Sequence, residues 1–351
     1  MIVDKYEIRF FPVGNSSKGG DAILLRLYDA EGNLCVIVID GGYTDDGQAI
    51  LDYLTQLGIG RIDLVVNTHP DEDHILGLIT IFSDENIEIG ELLMNRPWLD
   101  ANLKVSYFKD GRITENSLNN RITDKFKKAY ELEQLAIKKI GEENIIHPER
   151  GMIYRDMLFI LGPSSELYSR HLLASDKTPV VEGLNSRKFS LRKLNFVRYI
   201  KGTFVKWIFG EQTSDINETS LVMYLDLNDH KFLFTGDAGQ DGLKEALDFY
   251  ETHNGCKASD FTHMQLPHHG SRKNMNPTLI QRIGSHDYFI SCPPNGFDEG
   301  HPSKRLINKI LSIYPSAKVY PTQGNWLSHY RGLNLGCQPA SYYRVFDEID
   351  E

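Results

Sequence analysis

The stretch Thr68-His69-Pro70-Asp71-Glu72-Asp73-His74 decides how this sequence is interpreted. It follows the apolar run 62–68, which predicts a strand, and precedes the run 75–82, which predicts a short helix. Side chains in a loop at a strand end can converge on one point. Imidazole and carboxylate ligands together suit Zn²⁺, Mn²⁺ or Fe²⁺ better than Ca²⁺. The alternative is a polar loop whose Asp residues only cap the following helix.

Two later segments also place polar groups after an apolar strand. Phe232-Leu233-Phe234-Thr235-Gly236-Asp237 ends on a carboxylate, and Met264-Gln265-Leu266-Pro267-His268-His269-Gly270-Ser271 brings two adjacent imidazoles. A closed structural zinc site needs only four ligands. The three strand ends together supply enough ligands for two neighbouring metal ions.

Strands and helices are mixed along the whole chain. The predicted strands are 6–13, 22–28, 34–40, 62–68, 157–161, 220–227, 231–235, 261–266, 288–291 and 318–320. The predicted helices are 48–57, 75–82, 120–140, 241–250, 277–283 and 303–313. No Pro/Gly/Ser-rich linker divides the chain, so the pattern predicts one layered α/β (α+β) domain over residues 1–351.

Composition excludes several classes of protein. The 351 residues are 41% hydrophobic and 25% charged, which is ordinary globular composition. The formal charge of −10 argues against non-specific binding to nucleic acid or anionic lipid. The four cysteines form no CxxC pair, and there is neither a signal-peptide pattern nor a membrane-spanning apolar run. We therefore predict a cytoplasmic protein that makes no membrane contact.

One segment reverses the overall sign of charge. Residues 183–210 carry seven Lys or Arg side chains interleaved with aromatic residues, and no Asp or Glu. Such a pattern suits a single-stranded polyanion, through phosphate contacts and base stacking. The alternative is an inserted hairpin whose charges are merely solvated. The candidate substrate contacts are Arg187, Lys188, Arg192, Lys193 and Arg198.

The ordered motifs resemble the metallo-β-lactamase fold superfamily. They are Asp40-Gly41-Gly42, His69-x-Asp71-x-Asp73-His74, Thr235-Gly236-Asp237 and His268-His269-Gly270-Ser271. Within the superfamily the chain is most similar to the hydrolase-like domain of ComEC-type competence proteins. This branch shares Gly20-Asp21-Ala22-Ile23-Leu24, Asn217-x-x-Ser220 and His301-Pro302-Ser303. ComEC-type proteins also carry membrane segments, which are absent from this sequence.

The chain departs from the general superfamily pattern in two ways. Asp71 stands where the HxHxDH motif has a histidine, and an oxygen ligand there shifts preference towards Mn²⁺ without excluding Zn²⁺. The superfamily usually supplies one more histidine before the bridging Asp. Here that interval holds only His147, His171 and His230, which we interpret as surface or loop residues.

The resemblance implies a four-layer αββα sandwich with two divalent ions, Zn or Mn, with Fe as a further candidate. His69 and Asp71 would hold the first ion, Asp73, His74 and His269 the second, and Asp237 would bridge them. Asp73 and His268 are the implied catalytic residues, although the order of His268 and His269 as proton donor and ligand stays open. The implied supporting residues are Asp40, Asn217, Ser220 and His301. A turn role for Asp40 and a structural role for His301 are equally open alternatives.

The resemblance also implies a dinuclear metal-dependent hydrolase. Its favoured activity is that of a phosphodiesterase or nuclease, with single-stranded DNA or RNA as the phosphate-ester substrate. One alternative is hydrolysis of small phosphoesters, such as a cyclic nucleotide or a phosphocholine-type ester. The other is a metal-stabilised binding module without turnover.

Overall fold

The computed structural model describes residues 1–14, 19–100, 112–178, 212–297, 300–336 and 340–342. Within them, two mixed sheets each contain seven strands. The strands of the first sheet are β1 (Lys5–Phe10), β2 (Ala22–Tyr28), β3 (Leu34–Gly41), β4 (Arg61–Asn67), β5 (Glu88–Met94), β6 (Ile145–Ile146) and β14 (Leu327–Arg331). Those of the second sheet are β7 (Ile153–Tyr154), β8 (Leu158–Gly162), β9 (Val222–Asp226), β10 (Lys231–Phe234), β11 (His263–Gln265), β12 (Asp287–Ile290) and β13 (Lys318–Pro321).

Each sheet is antiparallel in one half and parallel in the other. The order is β14-β1-β2-β3-β4-β5-β6 in the first sheet and β13-β12-β11-β10-β9-β8-β7 in the second. The pairs β3–β4–β5–β6 and β10–β11–β12–β13 are parallel. Because parallel strands end at the same edge, the loops that follow β3 and β4, and those that follow β10 and β11, are neighbours.

Helices cover the outer face of each sheet. They are α1 (Thr44–Gln56), α2 (Glu72–Ser83), α3 (Glu115–Lys125), α4 (Lys127–Ile140), α5 (Ser165–Ala174), α6 (Gln240–Asn254), α7 (Pro277–Ile283) and α8 (Lys304–Ile313), together with a short turn at Pro267–Gly270. Short 3₁₀ turns lie at Pro97–Leu99, Glu142–Asn144, Asn217–Thr219 and Ala258–Asp260. None of the helices in the described part of the chain has the length and apolarity to cross a bilayer.

Alternation along the strands builds the layers. In β3, Val36 and Val38 face the core that the first sheet shares with α1 and α2, whereas Ile37 and Ile39 face the core between the sheets. In β10, Leu233 packs toward the helices of the second sheet and Phe232 toward the first sheet. Successive side chains of a strand point to opposite faces, so each sheet separates two apolar cores. The predicted four-layer αββα sandwich is confirmed, while the single-domain assignment stays a prediction.

Several element boundaries differ from those predicted. The single helix expected over 120–140 is two helices, α3 and α4, which break at Phe126 with φ −108° and ψ 35°. The helix expected at 75–82 begins at Glu72, so Asp73 and His74 lie in its first turn rather than in a loop. Strands β5 and β14 and helix α5 were not predicted.

Glycines let α2 approach β3 and α1 closely. The Gly77 N–H donates to the Gly42 carbonyl at 2.9 Å, and a Cβ on Gly77 would overlap the Gly41 carbonyl group and lie 2.9 Å from the Gly47 nitrogen. This contact fixes the helix whose first turn carries Asp73 and His74.

We expect Gly77→Ala to lower the free energy of unfolding by at least about 2 kcal/mol, because the added methyl group must displace backbone. Gly60→Ala is the matched control, since no atom lies within 4 Å of a Cβ there; it should stay within about 0.5 kcal/mol of wild type. Urea denaturation measures both. Equal stability of the two variants would contradict the close-approach argument.

Candidate metal centre

Loops from both sheets meet at one edge of the sandwich. Asp40 lies at the end of β3, and His69 follows β4 by two residues. From the other sheet, Asp237 follows β10 and His268 and His269 follow β11. The structure therefore brings together side chains that are far apart in the sequence.

Asp237 lies at the centre of this cluster and is buried. Its Oδ1 is 3.4 Å from His74 Nε2 and 3.6 Å from His269 Nε2. Its Oδ2 is 3.6 Å from His69 Nε2 and 3.7 Å from His268 Nε2. One carboxylate thus faces four imidazoles.

These atoms lack the hydrogen bonds that burial normally requires. Among the described residues, His69 Nε2, His74 Nε2, Asp237 Oδ1 and both ring nitrogens of His269 are buried without a hydrogen-bond partner. Buried polar groups are nearly always paired. Separations of 3.4–3.7 Å are long for hydrogen bonds but close to the ~3.3 Å that separates ligand atoms around a tetrahedral Zn²⁺ with ~2.0 Å bonds. The donor set therefore fits divalent metal ions.

The electrostatics of the cluster also favour an added positive charge. Burial lowers the pKa of His74, but the Asp237 and Asp40 carboxylates outweigh burial and hold that pKa well above its usual range. His269 behaves in the same way, with Asp237 and Asp21 raising its pKa to about 10. Burial opposes ionisation of Asp237, yet the surrounding histidines hold its pKa well below the ordinary value. Without a cation, the negative charge of the carboxylates favours protonation of the His74 and His269 imidazoles. A bound metal ion would supply the positive charge instead.

Asp40 orients other groups at the site. It has a left-handed backbone with φ 54° and is fully buried. Its carboxylate accepts hydrogen bonds from the Thr68 N–H at 2.8 Å and the Thr68 hydroxyl at 2.5 Å, and lies 2.8 Å from His74 Nδ1. A carboxylate on Nδ1 directs the other ring nitrogen, Nε2, towards Asp237. The geometry thus favours the supporting role over a simple turn role.

The first turn of α2 presents two further carboxylates. Asp71 is the N-cap residue, but its side chain makes no capping hydrogen bond; its Oδ2 lies 3.8 Å from His69 Nε2. Asp73 Oδ2 lies 3.7 Å from His269 Nε2. Burial opposes ionisation of Asp73, but the neighbouring imidazoles of His269 and His74 lower its pKa to about 2. The capping alternative for Asp71 therefore finds no support in the hydrogen bonds.

His268 and His269 are held in an unusual backbone conformation. Three consecutive residues, His268, His269 and Gly270, have φ values of 50°, 51° and 79°. Each non-glycine residue in this region costs about 1–3 kcal/mol, and such strain concentrates at functional sites. The His268 N–H donates to the Gly236 carbonyl at 3.1 Å, which ties this turn to the loop that carries Asp237.

The two adjacent histidines have different surroundings. His269 is fully buried, whereas the His268 side chain retains 27% exposure. His268 Nδ1 lies 3.2 Å from both Asn274 Oδ1 and Asn217 Nδ2, and burial lowers the pKa of this histidine. The rings of His268 and His301 are 5.3 Å apart. This arrangement favours His269 as ligand and leaves His268 facing solvent.

The other supporting candidates also lie close to Asp237. Asn217 Nδ2 donates to Asp237 Oδ2 at 3.4 Å, and the Asp237 N–H donates to Ser220 Oγ at 3.2 Å. His301 Nδ1 is buried without a hydrogen-bond partner, and burial together with His268 lowers its pKa to about 4. All the predicted metal and supporting residues are therefore in one region.

Sequence reasoning missed Asp21 as a site residue. Its buried carboxylate lies 3.7 Å from His269 Nδ1 and accepts a hydrogen bond from Gln265 Nε2 at 2.7 Å. Asp21 also joins His74, Asp237 and His269 in one group of mutually close ligand atoms. Asp21 belongs to the motif Gly20-Asp21-Ala22-Ile23-Leu24 of the resemblance, which gave it no role at the site.

His147, His171 and His230 do not belong to this group of ligand atoms. His147 lines a cavity of about 680 Å³ with Arg96 and Arg150, and His171 Nδ1 pairs with Asp215 at 3.0 Å. His230 lies in the loop that precedes β10 and belongs to a separate histidine cluster. The candidate contacts Arg187, Lys188, Arg192, Lys193 and Arg198 lie outside the described residues.

We expect Asp40→Asn to weaken metal affinity by about 10–100-fold. An amide accepts hydrogen bonds from His74 Nδ1–H and from the Thr68 N–H and hydroxyl less well than a carboxylate does. Titration of the metal-free protein with Zn²⁺ measures this change. Asp52→Asn, on exposed residue 52 of α1, is the control and should bind as wild type does. An unchanged affinity in Asp40→Asn would contradict the orienting role.

Comparison with known protein families supports the resemblance to the metallo-β-lactamase superfamily. Residues 19–149 match the family model described as "Metallo-beta-lactamase superfamily". The matched region includes the motif from His69 to His74 and ends before Asp237 and His269. The match agrees with the four-layer fold, and it does not address the resemblance to ComEC-type proteins. A search of curated proteins found no match to the chain.

A search of solved structures also returned distant matches. A long form of RNase Z from yeast has 12% identity, a TM-score of 0.38 and coverage of 82% of this chain and 37% of that enzyme. A diphosphatase of the PhnP family has 13% identity, a TM-score of 0.37 and coverage of 81% and 86%. The dizinc quorum-quenching lactonase AidC has 11% identity, a TM-score of 0.32 and coverage of 86% and 71%. Similarities of this size do not identify a substrate.

Proposed function

We propose that the chain is a dinuclear metal-dependent phosphodiesterase that acts on nucleic acid. The observation that carries the metal-dependent part is the set of buried, unpaired imidazole and carboxylate atoms around Asp237. A purely structural zinc site would need four ligands and a closed sphere. This cluster offers more ligands than that, and His268 beside it remains partly exposed.

The ligands divide into two groups around Asp237. His69 and Asp71 would hold one ion, and His74, Asp73 and His269 the other, with Asp237 shared between them. Two bound divalent ions lower the pKa of water and neutralise charge that develops on a phosphoryl group. Asp40 lies 2.8 Å from His74 Nδ1 and orients that ring by a hydrogen bond, and the Asp21 carboxylate lies 3.7 Å from His269 Nδ1 on the side away from Asp237.

His268 is suited to move a proton at the edge of this site. Asn217 Nδ2 lies 3.2 Å from its Nδ1 and can donate to it, which leaves the proton of the neutral ring on Nε2, on the Asp237 side. A protonated Nε2 would donate to the leaving oxygen of the substrate. This role needs the partial exposure that His268 has and His269 lacks.

Hydrolysis of a phosphodiester by the purified protein tests the proposal. Bis-p-nitrophenyl phosphate should be hydrolysed with Mn²⁺ or Zn²⁺ and not after chelation, and elemental analysis should find about two ions bound at this centre. Single-stranded DNA, RNA, a cyclic dinucleotide and a phosphocholine ester, assayed in parallel, separate nucleic acid from small phosphoesters. If the metal-loaded protein hydrolyses none of these substrates, the proposed enzyme activity is refuted, and the alternative of a metal-stabilised binding module without turnover is favoured.

The choice of nucleic acid rests on the composition of residues 183–210. Reversing Arg192 and Lys193 to Glu should raise KM for a polynucleotide, with each lost phosphate contact reducing the salt slope on single strands by about 0.7. Turnover of the small chromogenic diester should barely change, since it carries a single phosphate and cannot form the several phosphate contacts that a polynucleotide forms along its strand. If the double variant cleaves DNA and RNA like wild type at every salt concentration, the segment takes no part in substrate capture.

A further inference from the structure

A second cluster of histidines lies at the opposite end of the sandwich. His230 directly precedes β10, and His263 begins β11, whereas Asp237 and His269 follow the far ends of the same two strands. One ring nitrogen from each of His230, His263 and His329 lies within 4.8 Å of the other two. His329 comes from β14 in the first sheet. The cluster therefore joins the two sheets, remote from the proposed catalytic centre.

Tyr6 adds a fourth group to this cluster. Its buried hydroxyl lies 3.2 Å from His230 Nε2 and 3.0 Å from His329 Nε2, and these two nitrogens are 3.1 Å apart. The three atoms form a nearly equilateral triangle. Its sides approach the ~3.3 Å expected between ligand atoms of a tetrahedral zinc ion.

Neighbouring side chains orient the rings. Asp229 Oδ1 lies 2.8 Å from His230 Nδ1, so Nδ1 carries the proton and the Nε2 lone pair faces the cluster. His263 is positioned by Thr262 Oγ1, 2.9 Å from its Nδ1, and by Asp287 Oδ2, 3.4 Å from its Nε2. A carboxylate behind a histidine is the usual arrangement for a metal ligand.

The local charge is compatible with a divalent cation. Asp229 and Asp287 contribute two carboxylates beside the cluster, and Arg331 pairs with Asp229 at 2.7 Å and so offsets part of that charge. The His230 and His263 side chains retain 11% and 14% exposure, which leaves a route for an ion to enter.

We propose that His230, His263 and His329, with Tyr6 beside them, form a separate zinc site that fastens the two sheets together. Three imidazoles favour Zn²⁺ among the ions common in proteins. Because the ligands come from strands of both sheets, zinc bound here would stabilise the folded state by mass action. The site is independent of the proposed phosphodiesterase activity.

Zinc content and thermal stability of the full chain test this site. Wild type, stripped by chelator and reloaded with Zn²⁺, should retain about one ion per chain beyond those of the catalytic centre. His230→Gln and His329→Gln should each lose one equivalent and most of the zinc-dependent rise in Tm at this site. His253→Gln, at an exposed position of α6, is the control and should keep both. A folded His329→Gln protein with the zinc content of wild type would overturn the proposal.

A complementary variant keeps the proposal testable if the histidine variants do not fold. Asp237→Ala combined with His269→Ala removes central groups of the other cluster and leaves the three histidines intact. This protein should still bind about one zinc ion per chain, and the ion should raise its Tm. Absence of tight zinc binding in that folded double variant would overturn the proposal, whatever the outcome for activity.

Discussion

Asp237→Ala should reduce metal-dependent hydrolysis by about 10³-fold or more. Loss of one group that stabilises a transition state costs about 10²–10³-fold. Asp237 contacts imidazoles assigned to both ions, so its removal affects both at once. Turnover of bis-p-nitrophenyl phosphate with saturating Mn²⁺ or Zn²⁺, alongside metal content, measures the effect.

Two further variants separate this role from damage to the fold. Asp237→Asn keeps the shape of the side chain and the hydrogen bond from Asn217, but removes the charge that the four histidines face. It should therefore fold like wild type and still lose most of the activity. His147→Ala, in the wall of a separate cavity, should retain it. Wild-type turnover by a folded Asp237→Ala protein would contradict the bridging assignment. A large loss of activity in His147→Ala would show that His147 is a metal ligand that the proposed set leaves out.

The fold was predictable where local pattern determines it. The short runs of apolar residues at 22–28 and 34–40 match β2 and β3, because each strand faces an apolar core on both sides. The break between α3 and α4 was not predictable in this way, since Lys125-Phe126-Lys127 contains neither Pro nor Gly. Phe126 is buried in the core of the first sheet, so tertiary packing determines the break there.

Four of the six predicted ligands could be recognised from their spacing in the sequence. His69, Asp71, Asp73 and His74 are close in sequence, and their spacing alone brings them near one another. Asp21 is different, because its contact with His269 depends on the start of β2 lying next to the loop after β11 in the other sheet. A lone Asp before a strand carries no signal of that packing.

The second histidine cluster shows the same limit more clearly. Tyr6, His230, His263 and His329 lie on four different strands or strand ends, and no two are closer than 33 positions in the sequence. Each has an ordinary local context when taken alone. The pairing of β1 with β14 and of β10 with β11 makes two pairs of neighbours, and the packing of the two sheets on each other brings these pairs together.

His268→Ala should lower turnover of a dinucleotide substrate by about 10²–10⁴-fold, the range expected for loss of general acid–base catalysis. The leaving group in a dinucleotide is an alkoxide, which is a poor leaving group unless it is protonated as the bond breaks. Nitrophenolate is stable without that proton. Hydrolysis of bis-p-nitrophenyl phosphate by the same variant should therefore fall much less. Comparing kcat for the two substrates measures the difference.

The contrast between leaving groups distinguishes a proton donor from a ligand. If His268 held a metal ion, its loss would reduce turnover of both substrates equally and would lower the metal content as well. His269→Ala should show that second pattern, because its Nε2 lies 3.6 Å from Asp237 Oδ1 and 3.7 Å from Asp73 Oδ2. His301→Ala completes the comparison, since its ring neighbours His268 at 5.3 Å but is not among the groups that face Asp237 at close range. A selective loss on the dinucleotide in His301→Ala, with His268→Ala unaffected, would transfer the proton-donor role to His301.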